Sequence, residues 1–243
     1  MKVVVQKFGG TCVEAIDSQE LSAERIMEAK DQGIYPVVVV SAAGRAGQPY
    51  STADLVSTVT SINPHIQPRE RDLLMSCGEI ISTVAMANLL AAKGYDTIAL
   101  TGGQAGLITD SYHGHAQIIR IEPEYVLRAL QDHRIIFVTG FQGVTENHAI
   151  TTLGEGGSDY TAVALAVILD QEPKLPFGDE LDITPVNIFK EVDGVLSANP
   201  KSLAGAPKDE APRVLSRLSY DECVEMSALG AEVLQNKAAV MAR

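Results

Sequence analysis

Residues 151–162, TTLGEGGSDYTA, gather the side chains most suited to chemistry. A Gly-Glu-Gly-Gly run is followed by Ser158, Asp159 and Thr161 and opens onto an apolar helical run at residues 162–169. Glycines let backbone N–H groups approach an anion closely, and a helix start adds unpaired donors and the positive end of its dipole. An acid in the first turn suits that end. The chemistry this favours is phosphate handling; the same residues also suit a plain glycine turn capped by Asp159. A second glycine turn, KFGGT at residues 7–11, follows a β-branched run. It has neither the G-x-x-x-x-G-K-[ST] spacing of a P-loop nor the dinucleotide G-x-G-x-x-G. It offers Lys7 at a strand end beside two backbone donors, which suits the charge on a transferring phosphoryl group.

The elements that must position these residues alternate along the chain. Residues 3–8 read as a strand, and residues 14–32 as a helix with apolar spacing at Ile16, Leu21, Ile26 and Ala29. Residues 35–40 are almost uniformly apolar and β-branched, as expected of a strand covered on both faces, and lead into a small-residue loop at 41–51 that faces the ligand. Helices are predicted at 54–62 and 71–92, with Gly94 as the stop and Met75 and Met86 as core filler. Strand 97–101, helix 123–131, strand 135–139 and strand 186–190 continue the alternation, and 220–242 reads as a helix or helix pair interrupted at Gly230. Residues 171–182, acidic and rich in breakers, read as an exposed excursion. Strands alternating with helices argue for a mostly parallel sheet between helical layers.

Composition narrows the function. The 243 residues are 46% hydrophobic, enough for a substantial core. A formal net charge of -12 and a pI near 4.8 disfavour nucleic-acid or anionic-membrane binding, which needs a surplus of Lys and Arg. Cys12, Cys77 and Cys223 form neither a disulfide framework nor a zinc pattern, which fits a reducing cytosol. No signal peptide opens the chain and no run approaches membrane-spanning length, so a cytoplasmic protein is expected.

KFGGT at 7–11, SCGE at 76–79, GFQGVTENHAITTLGEGGSDYTAVALA at 140–166, EVDGVLSANPK at 191–201 and LSYDECVEMSALGAEVL at 218–234 occur in one order along nearly the whole chain. Together they resemble the catalytic domain of aspartate kinases, in the amino-acid kinase superfamily. The resemblance implies an α/β three-layer αβα sandwich with a mostly parallel sheet. It also implies transfer of the γ-phosphoryl group of ATP, with Mg²⁺, to the side-chain carboxylate of aspartate, giving an acyl phosphate in amino-acid biosynthesis. Lys7 would be the catalytic lysine, Gly9 and Gly10 phosphate donors, and Asp159 the second catalytic residue. Glu79 would receive the substrate ammonium, a pairing chemically apt for a carboxylate. Thr52 or Ser51 would supply a hydroxyl, Gly156 and Ser158 would flank the substrate, and Glu191 and Lys201 would lie on the nucleotide side. The resemblance further implies one catalytic domain over residues 1–243, without C-terminal regulatory domains in this chain, working as a homodimer.

The departures bear on the acceptor. Glu155 stands where aspartate kinases carry an arginine that grips the substrate α-carboxylate, and an acid there would repel a carboxylate and welcome an ammonium or hydroxyl. Cys12 replaces serine, Lys190 threonine, Glu232 a nucleotide-side lysine, and Gln235-Asn236 His-Pro. Three readings follow. One is an aspartate kinase in which another cation, with Arg45 the nearest candidate, holds the carboxylate. A second keeps phosphoryl transfer but changes the acceptor to another small molecule. The third is a nucleotide-binding or regulatory module without turnover, against which the pairing of Lys7 with Asp159 speaks.

Overall fold

The two valine-rich runs become neighbouring parallel strands, in register from Val3 opposite Tyr35 to Phe8 opposite Val40. A computed structural model describes residues 1–171, 178, 180–192, 194–199, 211–231 and 233–243. In chain order it has β1 (Lys2–Phe8), a 3-10 turn (Gly10–Cys12), α1 (Ile16–Asp31), β2 (Tyr35–Val40), α2 (Thr52–Thr60), α3 (Pro68–Ala92), β3 (Thr97–Leu100), β4 (Leu107–Thr109) and β5 (Ile118–Ile121). These are followed by α4 (Glu124–Gln131), β6 (Ile135–Thr139), β7 (Gln142–Val144), β8 (Ile150–Thr152), α5 (Gly157–Gln171), β9 (Asp182–Ile183), β10 (Asn187–Phe189), α6 (Tyr220–Ala228) and α7 (Asn236–Ala242).

The main sheet runs β10-β1-β2-β6-β3, with β9 also paired to β1, and its pairings are all parallel. Strand alternation divides its side chains between two cores. Val3, Val5, Val37, Val39, Ile136 and Val138 face α4 and α5. Phe8, Val38, Val40, Ile135 and Phe137 face α1 and α3. Both faces are covered, which is why β2 and β6 are almost wholly apolar and why the fold is the expected α/β sandwich.

Two sequence expectations fail here, and one sheet was not anticipated. Ile16 and Leu21 are 75% and 64% exposed, whereas the expected Ile26 is buried together with Ser22 and Ala23. Small residues let this helix lie close to the sheet, so its buried stripe is not its most apolar one. The four-stranded second sheet, β5-β4-β7-β8, was not anticipated, because its strands of three or four residues are too short for a period to register. By length and hydropathy α3 does pass for a membrane span, with a mean hydropathy of 1.6 over its best window. Its buried residues nevertheless include Asp72, Ser76, Glu79, Ser82 and Thr83, the signature of a core helix that lines a site. The predicted excursion at 171–182 lies mostly outside the described residues, its two ends belonging to α5 and β9.

Candidate active site

Alternation along β1 decides where Lys7 goes. Val3 and Val5 pack toward α5, and Lys7, the next residue on that face, emerges where the first turn of α5 begins. There its Nζ lies 2.8 Å from Asp159 Oδ1. The other carboxylate oxygen, Oδ2, is 2.8 Å from Lys190 Nζ, which also donates to the Val233 carbonyl at 3.2 Å. Lys7 and Asp159 are both buried. Two ammonium groups thus flank one carboxylate at the C-terminal ends of β1 and β10, the edge where open α/β sheets place ligands. The Phe8 and Phe189 rings, stacked at 4.7 Å, hold those two strand ends together.

This row lies in the wall of a cavity of about 840 Å³, with Ser41, Thr52, Arg71, Asp72, Met75, Glu79, His113, His115, Phe141, Glu155, Gly156 and Ser158 among its other wall residues. The loop into α5 turns back on itself through Gly157 N–H to Gly154 O and Asp159 N–H to Gly156 O. Gly154 and Gly156 have φ of +83° and +73°, a left-handed conformation in which L side chains are strained. Ser158 sits in the first turn, so tight against Gly140 that a Cβ there would stand 2.5 Å from its Oγ.

Across the cavity, Glu79 is buried on α3. Ala42 N–H donates to its Oε1 at 3.2 Å, and Oε2 has no partner. Burial pushes the carboxyl up to about 8, against the lowering effect of the Ala42 amide and its own backbone. A ligand ammonium would fill that vacancy and restore ionisation, so acceptor affinity is expected to rise as pH approaches 8. The sign for stability is the reverse. A folded-state value above the ordinary 4.5 contributes stability that is complete below about 4.5 and lost as pH rises through about 8. Glu79→Gln is therefore expected to gain on the wild type by about 1.4 kcal/mol per pH unit within that window. Urea unfolding of both proteins at pH 5 and pH 8 measures it, and parallel pH curves would refute the buried, unpaired carboxylate.

The remaining anticipated residues divide. Thr52 and Ser51 separate clearly: Ser51 caps α2, its Oγ accepting from Asp54 N–H at 3.3 Å, while Thr52 lines the cavity. Glu155 is exposed at the rim. Gly9 spends its N–H on the Phe189 carbonyl at 3.2 Å, so of the two expected backbone donors only that of Gly10 has no partner among the described residues. Gly10 must be glycine, because a Cβ would stand 2.6 Å from the Ala42 carbonyl. Glu191 lies outside the cavity wall and ties two loops together, accepting from Thr11 Oγ1 at 2.8 Å and pairing with Arg45 at 3.0 Å. Its own backbone amide, then the Thr11 hydroxyl and Arg45, hold its carboxyl below the usual range. Arg45 pairs with Glu191 through exposed side chains and is not among the cavity-wall residues. Lys201 and Glu232 lie outside the described residues. Met75 lines the cavity where core filler was expected, whereas Met86 is in the core.

Sequence reasoning missed three contributors. Lys190 was noted only as a departure, although it repeats the strand-end position of Lys7. Asp72 is a rivet: it accepts from His113 Nδ1 at 2.8 Å, Gly114 N at 3.0 Å, Thr152 N at 3.0 Å and Thr152 Oγ1 at 2.7 Å, joining α3 to the second sheet. The signal was available as polar residues at 72, 76 and 79, one face of an otherwise apolar helix. Phe141, held at φ +68° between β6 and β7, had no sequence signal. Among the described residues no three acidic, imidazole or thiol groups converge on a metal position. Both Asp159 oxygens face lysines, so a magnesium ion bound here would take its ligands from nucleotide phosphates and water rather than from this carboxylate.

The model of the amino acid kinase family matches residues 2–175. Aspartokinase 1 of Bacillus subtilis (strain 168) is 39% identical over 242 residues, covering 100% of this chain and 55% of that protein. The aspartokinase of Geobacillus stearothermophilus is 40% identical over 243 residues, covering 100% of this chain and 54% of its own length. The chain spans about half the length of these curated relatives. The crystal structure of aspartate kinase from Synechocystis superposes with a TM-score of 0.75 at 32% identity, covering 99% of this chain and 36% of that one.

Proposed function

The chain belongs to the amino acid kinase family, and from that premise we propose that it transfers the γ-phosphoryl group of ATP to the side-chain carboxylate of L-aspartate. The observation that carries the reading is the Lys7–Asp159–Lys190 row in the wall of a cavity that also holds Glu79, one of whose carboxylate oxygens has no partner. Two ammoniums against one carboxylate leave a net positive charge where charge spreads over a transferring phosphoryl group. Both Asp159 oxygens are held by lysines, so this residue fixes the ammoniums rather than taking a proton. None needs taking, because an acceptor carboxylate is already ionised near neutral pH. Its oxygen forms the new bond to phosphorus as the bond to the leaving ADP oxygen breaks. Glu79 and Thr52 orient the acceptor, Gly156 and Ser158 border it, and Gly10 offers an N–H toward the phosphates. Bound Mg²⁺ would supply further neutralisation of phosphate charge.

Residues 1–243 would act as one catalytic domain in the cytoplasm, as a homodimer. ATP consumption with Mg²⁺ across a panel of amino acids and small carboxylates, with hydroxylamine to trap the acyl phosphate, is expected to give the hydroxamate with L-aspartate. ATP binding without turnover on any acceptor would instead identify a non-catalytic module.

The exposed carboxylate of Glu155 at the cavity rim favours a second reading, an acceptor other than aspartate. Glu155→Arg is expected to raise or leave unchanged kcat/KM for aspartate, since it supplies a guanidinium fork. If Glu155 instead contacts another acceptor directly, the substitution weakens that acceptor by about 1.5–3 kcal/mol. Unchanged values for every acceptor would show that Glu155 plays no part in acceptor choice.

A further inference from the structure

The cavity face of α3 carries Arg71, Met75 and Glu79 at spacings of four residues, a row that spans about 12 Å along the helix. Glu79, at one end, has a free carboxylate oxygen. Arg71, at the other end, is the one arginine in the cavity wall among the described residues. Its guanidinium has no ion-pair partner among the described residues. The two lysines of the wall are engaged, Lys7 and Lys190 both by Asp159. Arg71 is therefore a guanidinium in the wall without a carboxylate of its own, while Arg45 is spent on Glu191.

We infer that Arg71 holds a second carboxylate of the phosphoryl acceptor and makes the site selective for amino acids with two carboxylates. The inference rests on the proposed phosphoryl transfer. The acceptor sits with its ammonium on Glu79 and its reacting carboxylate toward Lys7 and Lys190, and the long Arg71 side chain reaches over Met75 to its other carboxylate. A planar guanidinium meets a carboxylate through two parallel hydrogen bonds, so it selects for that group by geometry as well as by charge. The exposed carboxylate of Glu155 then tolerates an acceptor whose second carboxylate is claimed on the α3 side of the cavity.

L-aspartate and β-alanine differ only by the carboxylate assigned to Arg71, so the pair reads its role directly. In the wild type, kcat/KM for aspartate is expected to exceed that for β-alanine. Arg71→Met should raise KM for aspartate about 10–100-fold, the value of a charged hydrogen-bonded pair. It should leave KM for ATP unchanged and collapse the preference over β-alanine. Arg71→Lys should recover part of it. An aspartate preference that survives Arg71→Met overturns the inference and leaves the kinase reading standing. Absence of turnover in the wild type overturns the kinase reading, and calorimetric titration of the two amino acids then tests Arg71 alone. Equal wild-type affinities, or no binding of either, overturn it. Methionine is a good helix former and the site is exposed, so the variant is expected to fold, with circular dichroism as the check.

Discussion

Lys7→Ala is expected to lower kcat by about 10²–10³-fold, the scale of losing one preorganised donor to a charged transition state, while the protein still folds. Lys7 stands on the α5-facing side of β1, one alternation beyond Val5, at the point where apolar packing gives way to the cavity. Its removal takes one of two cations from the phosphoryl position. Asp159 would keep Lys190 at 2.8 Å, so the buried carboxylate is not stranded and the structural cost stays small. Steady-state kinetics with saturating ATP and aspartate, beside a urea unfolding curve, measure both halves. Full activity in Lys7→Ala, or a protein that no longer folds, would falsify the assignment of this lysine to chemistry.

Asp159→Ala strands both lysines at once and should be the more damaging substitution. Breaking a buried ion pair from one side typically costs about 3–5 kcal/mol, because the remaining charge stays desolvated and uncompensated. Here Lys7 is 6% exposed and would face Lys190 with nothing between them. The expected result is a drop in unfolding free energy of about that size, together with loss of turnover at least as large as in Lys7→Ala. Pairing the change with Lys7→Met should restore part of the stability and none of the activity, since an apolar side chain removes the unpaired charge without replacing the cation. A double variant no more stable than Asp159→Ala would show that the Lys7–Asp159 pair is not what the fold depends on at this point.

How much of this was legible along the chain follows from the range over which each feature is determined. Runs of β-branched residues are a local property, and β2 and β6 fall on the residues their composition marks out, Tyr35–Val40 and Ile135–Thr139. The two glycine turns and the charged residues beside them could be singled out because the backbone at a strand-to-helix turn needs small residues in a fixed order. The resemblance to aspartate kinases rests on such runs, and the family follows from them. Other local patterns misled. The apolar marks Ile16 and Leu21 are exposed, because close packing of α1 on the sheet selected Ser22 and Ala23 for the interior.

The acceptor site itself depends on contacts that no local pattern encodes. Lys7 and Asp159 are 152 positions apart and meet only because parallel strands and their crossover helices bring strand C-terminal ends and helix N-termini to one edge of the sheet. Asp72 reaches Thr152 across 80 positions. Arg45, in the loop after β2, pairs with Glu191 over 146 positions, outside the cavity wall. Local sequence supplied the chemistry available: cations, carboxylates and glycine turns suited to phosphate. Tertiary structure alone decided which charges are already neutralised by a partner and which are left for a ligand, because a charge's partner is set by distance in space, and Coulomb attraction takes no account of separation along the chain.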